Sequence, residues 1–269
     1  MRLGRLFAGL LLLVGAALPA VAHEFWMLPS SFQLQRPGRV PVSLWVGEQF
    51  EGERVGIHAG LVASLRRHDA AGAVDLAAAV PDHAVADWPV IVRRAGTSLI
   101  ALDTHPSSIE LPADTFHAYL REEGLEFIVE ARKKAGTAAK PARERYRRNL
   151  KALVRLGNQR DAVAMQRIGQ KLEIVPLADP QRLPADGKVE MQVLFDGAPL
   201  PAALVKLWHR RDGQLLTIRA RTRADGRVTA TLPWTGVWMA SVVHMVAAPD
   251  TQDFDWDSYW GNLMFQAGR

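Results

Sequence analysis

The chain falls into three stretches whose apolar residues recur with different periods. From about 23 to 112 the period is two. "RVPVSLWVG" (39–47) is rich in β-branched and aromatic residues and ends on glycine, and "HDAAGAVDLA" (68–77) reads as a turn between short strands. "PVIVRRAG" (89–96) and "SLIALDTH" (98–105) flank Gly96 and Thr97 in the manner of a hairpin. The period then lengthens. In "PADTFHAYLREEGL" Phe116, Tyr119 and Leu120 recur at i, i+3 and i+4 behind Asp114, a candidate cap, and Gly124 closes the run, which predicts a short helix. "KKAGTAAKPA" (133–142) reads as a link. Tyr146, Leu150, Leu153 and Val154 share one stripe of "ARERYRRNLKALVRLGN", which predicts a second helix over 142–156. Arg143, Arg145, Arg147, Arg148, Lys151 and Arg155 fill the rest of that segment. They suit a solvated face, the simpler reading, or contact with an acidic partner or anionic lipid. From about 170 the period returns to two, with turn signals at Asp196-Gly197, Asp212-Gly213 and Asp225-Gly226. Such pairs between alternating runs mark hairpins, so residues from about 186 to 269 are expected to form an antiparallel sandwich.

The pattern predicts a mainly β protein. Two sandwich-like parts, 23–112 and 170–269, stand either side of a helical insert or linker at 113–169. The first 22 residues differ from all of this. Arg2 and Arg5 precede an almost wholly apolar run, Leu6 to Leu18, and Ala20-Val21-Ala22 is a small-x-small cleavage site. That is the build of a signal peptide, and the run is short of the ~20 residues a spanning helix needs. The expectation is export to the periplasm with a cut after Ala22.

Composition narrows the chemistry. Apolar content of 48% is ample for a core. The net charge of +5 falls by two without Arg2 and Arg5, a mild excess that gives no reason to expect nucleic acid. With no cysteine there can be no disulfide, thiolate metal site or cysteine nucleophile. No G-x-S-x-G, P-loop or G-x-G-x-x-G after a strand is present. The chain is not expected to be an enzyme.

A cut after Ala22 would make His23 residue one, with an α-amine and an imidazole able to close a chelate ring on a metal. The amine's reference pKa of ~7.7–8.0 lets a metal displace its proton near neutral pH. One more imidazole would complete a three-nitrogen brace, a donor set that favours Cu(II) or Ni(II). The third nitrogen must come from His58, His68, His83, His105, His117, His209 or His244. His244 stands out, because in "GVWMASVVHMVAAP" both alternating faces are apolar, as in a central buried strand. It is either a hydrogen-bonded core histidine or a protected ligand. "DTQDFDWDSYW" (250–260) opens like a calcium loop, but Ser258 and Met264 stand where Gly and Glu are required. Its aspartates read as a solvated loop or as acids behind a metal, and Trp256, Tyr259 and Trp260 as packing groups.

Several segments resemble, in order and over nearly all of the chain after the leader, an uncharacterised bacterial family of exported proteins. They include "AHEFWMLPSSF", "VSLWVGEQFEGE", "IELPADTFHAYLREEGLE", "LEIVPLADP", "VLFDGAPLPAALVKLW", "TRADGRVTATLPWTGVWMASVVHM" and "DWDSYWGNLMF". Members are often labelled the periplasmic component of a cobalt or nickel transport system. The resemblance implies two sandwich-like parts with a helical insert, the C-terminal one like transthyretin or the carboxypeptidase regulatory domain. It singles out His23, Trp26, Pro29, His244, Asp255, Trp256, Tyr259 and Trp260. The leading expectation is a periplasmic protein that binds a divalent transition metal (copper, nickel or cobalt) through His23 and His244. Glu24 or Asp255 would orient the imidazoles, and an inner-membrane transporter or outer-membrane receptor would be its partner. The rivals are a copper oxidase resembling the lytic polysaccharide monooxygenases, and a metal-free sandwich that serves as an interaction module.

Overall fold

A computed structural model describes residues 24–249 and 252–268; the expected leader and His23 lie outside them. The first stretch forms β1 (Glu24–Pro29), β2 (Gln33–Leu34), β3 (Gly38–Glu48), β4 (Glu51–Val55), β5 (Val62–Asp69), β6 (Gly72–Asp75), β7 (Trp88–Val92), β8 (Gly96–Thr104) and β9 (Ser107–Leu111). Next come α1 (Ala113–Glu122), α2 (Glu126–Lys134) and β10 (Ala142–Leu156). The last stretch holds β11 (Leu172–Pro176), β12 (Lys188–Phe195), β13 (Ala198–Pro199), β14 (Leu204–Arg211), β15 (Gln214–Arg221), β16 (Arg227–Thr231), β17 (Gly236–Ala247) and β18 (Trp256–Ala267). The fold is mainly β, as the periodicity predicts. Phe116, Tyr119 and Leu120 are the buried face of α1, also as expected.

A ten-stranded sheet, ordered β15-β14-β17-β18-β10-β8-β5-β6, forms the central layer, and β2 and β9 add to β10. It draws strands from all three stretches. One face packs on the sheet of β1, β3, β4 and β7 through Trp26, Met27, Val42, Leu44, Leu150 and Met264, with α1 and α2 beside it on Val243, Met245 and Trp260. The other face packs on β11, β12, β13 and β16 through Leu153, Trp238, Phe265, Ile174 and Val193. Each buried side chain of this size contributes roughly 1.5–3 kcal/mol. The two outer sheets make sandwiches with opposite faces of one shared sheet.

The C-terminal sandwich follows its turn chemistry at two of the three Asp-Gly pairs expected to close hairpins; at Asp225-Gly226 the chain instead passes from β15 of the central sheet to β16 of an outer one. Asp196-Gly197 and Asp212-Gly213 both take positive φ at both residues, as a type I′ turn requires, and they join β12 to β13 and β14 to β15. The hairpin expected at Gly96 is different. β7 pairs with β3 and β8 with β5 and β10, so the chain changes sheets there.

The helix expected over 142–156 is a strand, β10. Its apolar stripe divides between two cores, Leu150 and Val154 in one and Leu153 in the other. A central strand covered on both faces has no polar side to betray a period of two. The cations that read as a solvated face are paired. Arg143 meets Asp255 at 3.0 Å and Arg145 meets Asp257 at 2.6 Å across the parallel seam with β18, Lys151 meets Glu173 at 2.6 Å, and Arg155 bonds Asp179. Partners distant in sequence override the helix propensity of this arginine-rich run. The acidic loop of "DFDWD" is thereby explained too, since two of its aspartates are those partners.

Candidate functional site

The first residue of β1 enters the interior. Glu24 pairs in register with Gly47 of β3, and its carboxylate crosses to the central sheet, where it is 6% exposed. There Glu24 Oε1 accepts from Ser241 Oγ of β17 at 3.0 Å and lies 3.0 Å from Lys206 Nζ of β14. Glu123, just past the end of α1, takes the same ammonium from the other side at 2.7 Å. The Trp208 ring lies 5.1 Å from Lys206 Nζ, and its indole N–H donates to Ser241 Oγ at 2.9 Å. Lys206 and Trp208 point the same way because they are two apart on a strand. The group opens on a cleft of about 240 Å³ that Glu48, Gln49 and Glu122 complete.

Carboxylates outnumber cations in the lining of this cleft. Glu24, Glu48, Glu122 and Glu123 line it with Lys206 as the sole cation of the lining; Glu122 also meets Arg219 at 3.4 Å. Burial pushes the Glu123 carboxyl up to about 7 against the pull of Lys206, and the neighbouring Glu24 charge pushes the same way. Burial draws the Lys206 ammonium down, but Glu24 and Glu123 outweigh it and hold it above the usual lysine range. Once Glu123 ionises, above about pH 7, the ammonium and its two carboxylates carry one surplus negative charge, which favours the approach of a cation.

The other candidate residues are placed as follows. His23 lies outside the described residues. His244 sits on β17 three residues beyond Ser241, so its ring faces the opposite side of the central sheet from Glu24. It lies 4.5 Å from the Phe195 ring and 6.1 Å from the Phe127 ring, and burial lowers its pKa to about 4. The strand that carries His244 does meet the head of β1, but through Ser241. Asp255 lies at the far end of the β17–β18 hairpin on Arg143, whose hydrogen bonds and charge outweigh burial and hold its carboxyl below the usual range. Glu24 orients an ammonium and a hydroxyl. Trp260 stacks on Tyr119 at 5.6 Å, and Tyr259 packs edge-on to Phe195 at 5.2 Å. Among the described residues no three His, Asp or Glu side chains are grouped to hold a metal ion. No helix among them is long and apolar enough to cross a membrane.

Lys206, Glu123 and Ser241 were not singled out from sequence. Lys206 did carry a signal: in "ALVKLW" it is a lone charge within an apolar strand, which demands a buried partner. Glu123 had none, since "REEG" is an ordinary helix end.

The family model described as "Domain of unknown function (DUF4198)" matches residues 20–246. A search of curated proteins finds no match to the chain. The chain belongs to that family of unknown function.

Proposed function

We propose that this chain is an exported protein that handles a divalent transition-metal ion as cargo, and that the ion is taken up at the head of β1. The observation that supports this is the cleft into which Glu24 leads, where Glu24 and Glu123 share one ammonium. Chain connectivity brings His23 to within one residue of Glu24. A cut after Ala22 would add an α-amine and an imidazole beside the carboxylates of this cleft, a mixed nitrogen and oxygen set suited to nickel, cobalt or copper. His244 is left out of this ligand set because its ring faces the other side of the sheet. Delivery would be to or from an inner-membrane transporter or an outer-membrane receptor. A copper oxidase acting on a polymer needs its ion on an open face, and the buried Glu24 suits cargo better.

The test compares protein beginning at His23 with protein carrying one extra residue ahead of it, each titrated with Ni(II), Co(II) and Cu(II) by calorimetry. The extension and His23→Ala should each weaken binding at least ~10-fold, about 1.4 kcal/mol, and His244→Ala should leave it unchanged. Equal affinity with and without the extension refutes the reading. A matching loss in His244→Ala restores the two-histidine brace in its place.

A further inference from the structure

A second cleft, of about 220 Å³, lies at the His244 end of β17. The register of β14 with β17 ends at Val205 and Val242, so the residues of β17 beyond it lose that neighbour. The α1–α2 turn and the β13–β14 loop come together there. Gly124 has φ +73° in that turn, and a Cβ on it would stand 2.6 Å from Leu204 Cβ, so this closure depends on glycine. Phe127, Ala202, Leu204, Arg221, Val243 and His244 line the cleft.

Three features define what would fit. The imidazole of His244 makes ring contacts with Phe195 and Phe127, and among the described residues neither ring nitrogen has a hydrogen-bond partner or is sealed from solvent. A half-buried imidazole open to solvent can exchange water for a ligand's hydrogen bond. Phe127 is 52% exposed at the rim, with its ring inclined 29° to the imidazole. Arg221 is engaged through both terminal nitrogens: Nη1 donates to Gly124 O and Ala202 O, and Nη2 to both oxygens of Glu126. The two charges of the lining, Arg221 and Glu126, are thus paired with each other. An apolar cleft with one convergent polar group is the usual form of a small-molecule site, and a void of about 150 Å³ already admits a benzene-sized ring.

We propose that this cleft binds a small uncharged aromatic molecule bearing a hydroxyl or N–H group, its ring against Phe127 and its polar group hydrogen-bonded to His244. The site shares no lining residue with the acidic cleft, although the α1–α2 turn leads from one to the other. The probes are phenol and indole, with benzoate as the charged control and cyclohexanol as the non-aromatic one. Binding is followed by calorimetry and by the imidazole ¹⁵N resonances of the whole chain from His23. Phenol or indole should shift the His244 signals and bind at least 10-fold more tightly than either control. Phe127→Ala, at an exposed position, and His244→Phe, which keeps a ring in place, should each weaken binding at least 5-fold. The proposal fails if neither probe shifts His244 at millimolar concentration, if benzoate or cyclohexanol binds equally well, or if both variants bind like the parent. It also fails if equimolar Ni(II) or Cu(II) claims the His244 nitrogens first.

Discussion

Two lysines are buried in the central sheet, each 1% exposed, and they meet different fates. Lys151 of β10 donates to Glu173 Oε1 at 2.6 Å and to Ile174 O at 3.1 Å. Glu173 is completed by the backbone N–H groups of Ile168 and Gly169. One ammonium meets one carboxylate and the remaining hydrogen bonds are internal, so the group closes on itself and ties the central sheet to an outer one. Lys206 of β14 meets two carboxylates beside an open cleft. Burial lowers the Lys151 pKa despite Glu173, whereas its two carboxylates leave Lys206 raised. A neutral, closed pair is what structure alone requires. A surplus of charge with access to solvent is what a site for a cation requires, and that separates the two.

The largest expected effect breaks the closed pair. Lys151→Met leaves Glu173 charged and unpaired in the core, which should cost about 3–5 kcal/mol in urea unfolding at pH 7. Adding Glu173→Leu should recover most of the loss. A single variant as stable as the parent would mean that water reaches Lys151, and the contrast with Lys206 would fall.

The open pair should respond less and should depend on pH. A carboxyl whose folded pKa of about 7 stands above its ordinary 4.5 holds its proton more tightly in the fold. Stability should therefore decline as pH climbs from about 4.5 to 7 and level off above. Lys206→Met should cost about 2–3 kcal/mol at pH 8, with less lost at pH 5.5, where Glu123 keeps its proton and solvent enters the cleft. Glu123→Gln should flatten the decline between those pH values. Parallel pH–stability curves for Glu123→Gln and the parent would show that Glu123 titrates like a surface acid.

The same contrast shows what could be read before the fold was known. Hairpins closed by Asp-Gly turns were legible because that signal is local: two residues must both adopt positive φ. β10 was not, because its cations find carboxylates far along the chain and its apolar residues serve two cores at once. The head of β1 was half legible. Glu24 and the strand of His244 were picked out, and they do meet, but which face His244 takes depends on the register of β17 against β14 and β18, and one residue of register reverses it. Glu123 needed the path of α1 across the sheet before its carboxylate could be placed beside Lys206.

The smallest effect lies at His244 and separates a group tuned by a neighbouring charge from one tuned by burial. Burial lowers its pKa, in contrast to Lys206, where the carboxylates outweigh burial. A histidine held near 4 in the fold and near 6.5 when unfolded takes up its proton more readily in the unfolded chain. Its contribution is present in full above 6.5 and is lost as pH falls toward 4. The full gap would amount to about 3 kcal/mol at the lower end. Because the ring is only half-buried and its cleft admits solvent, about 1–2 kcal/mol is the expected share. His244→Phe should therefore match the parent within about 0.5 kcal/mol at pH 7.5 and exceed it by about 1–2 kcal/mol at pH 4.5. Urea unfolding at the two pH values measures both. A constant difference would assign the effect to packing against Phe195, and a larger advantage for the parent at pH 4.5 would place on the imidazolium an acceptor that the described residues do not supply.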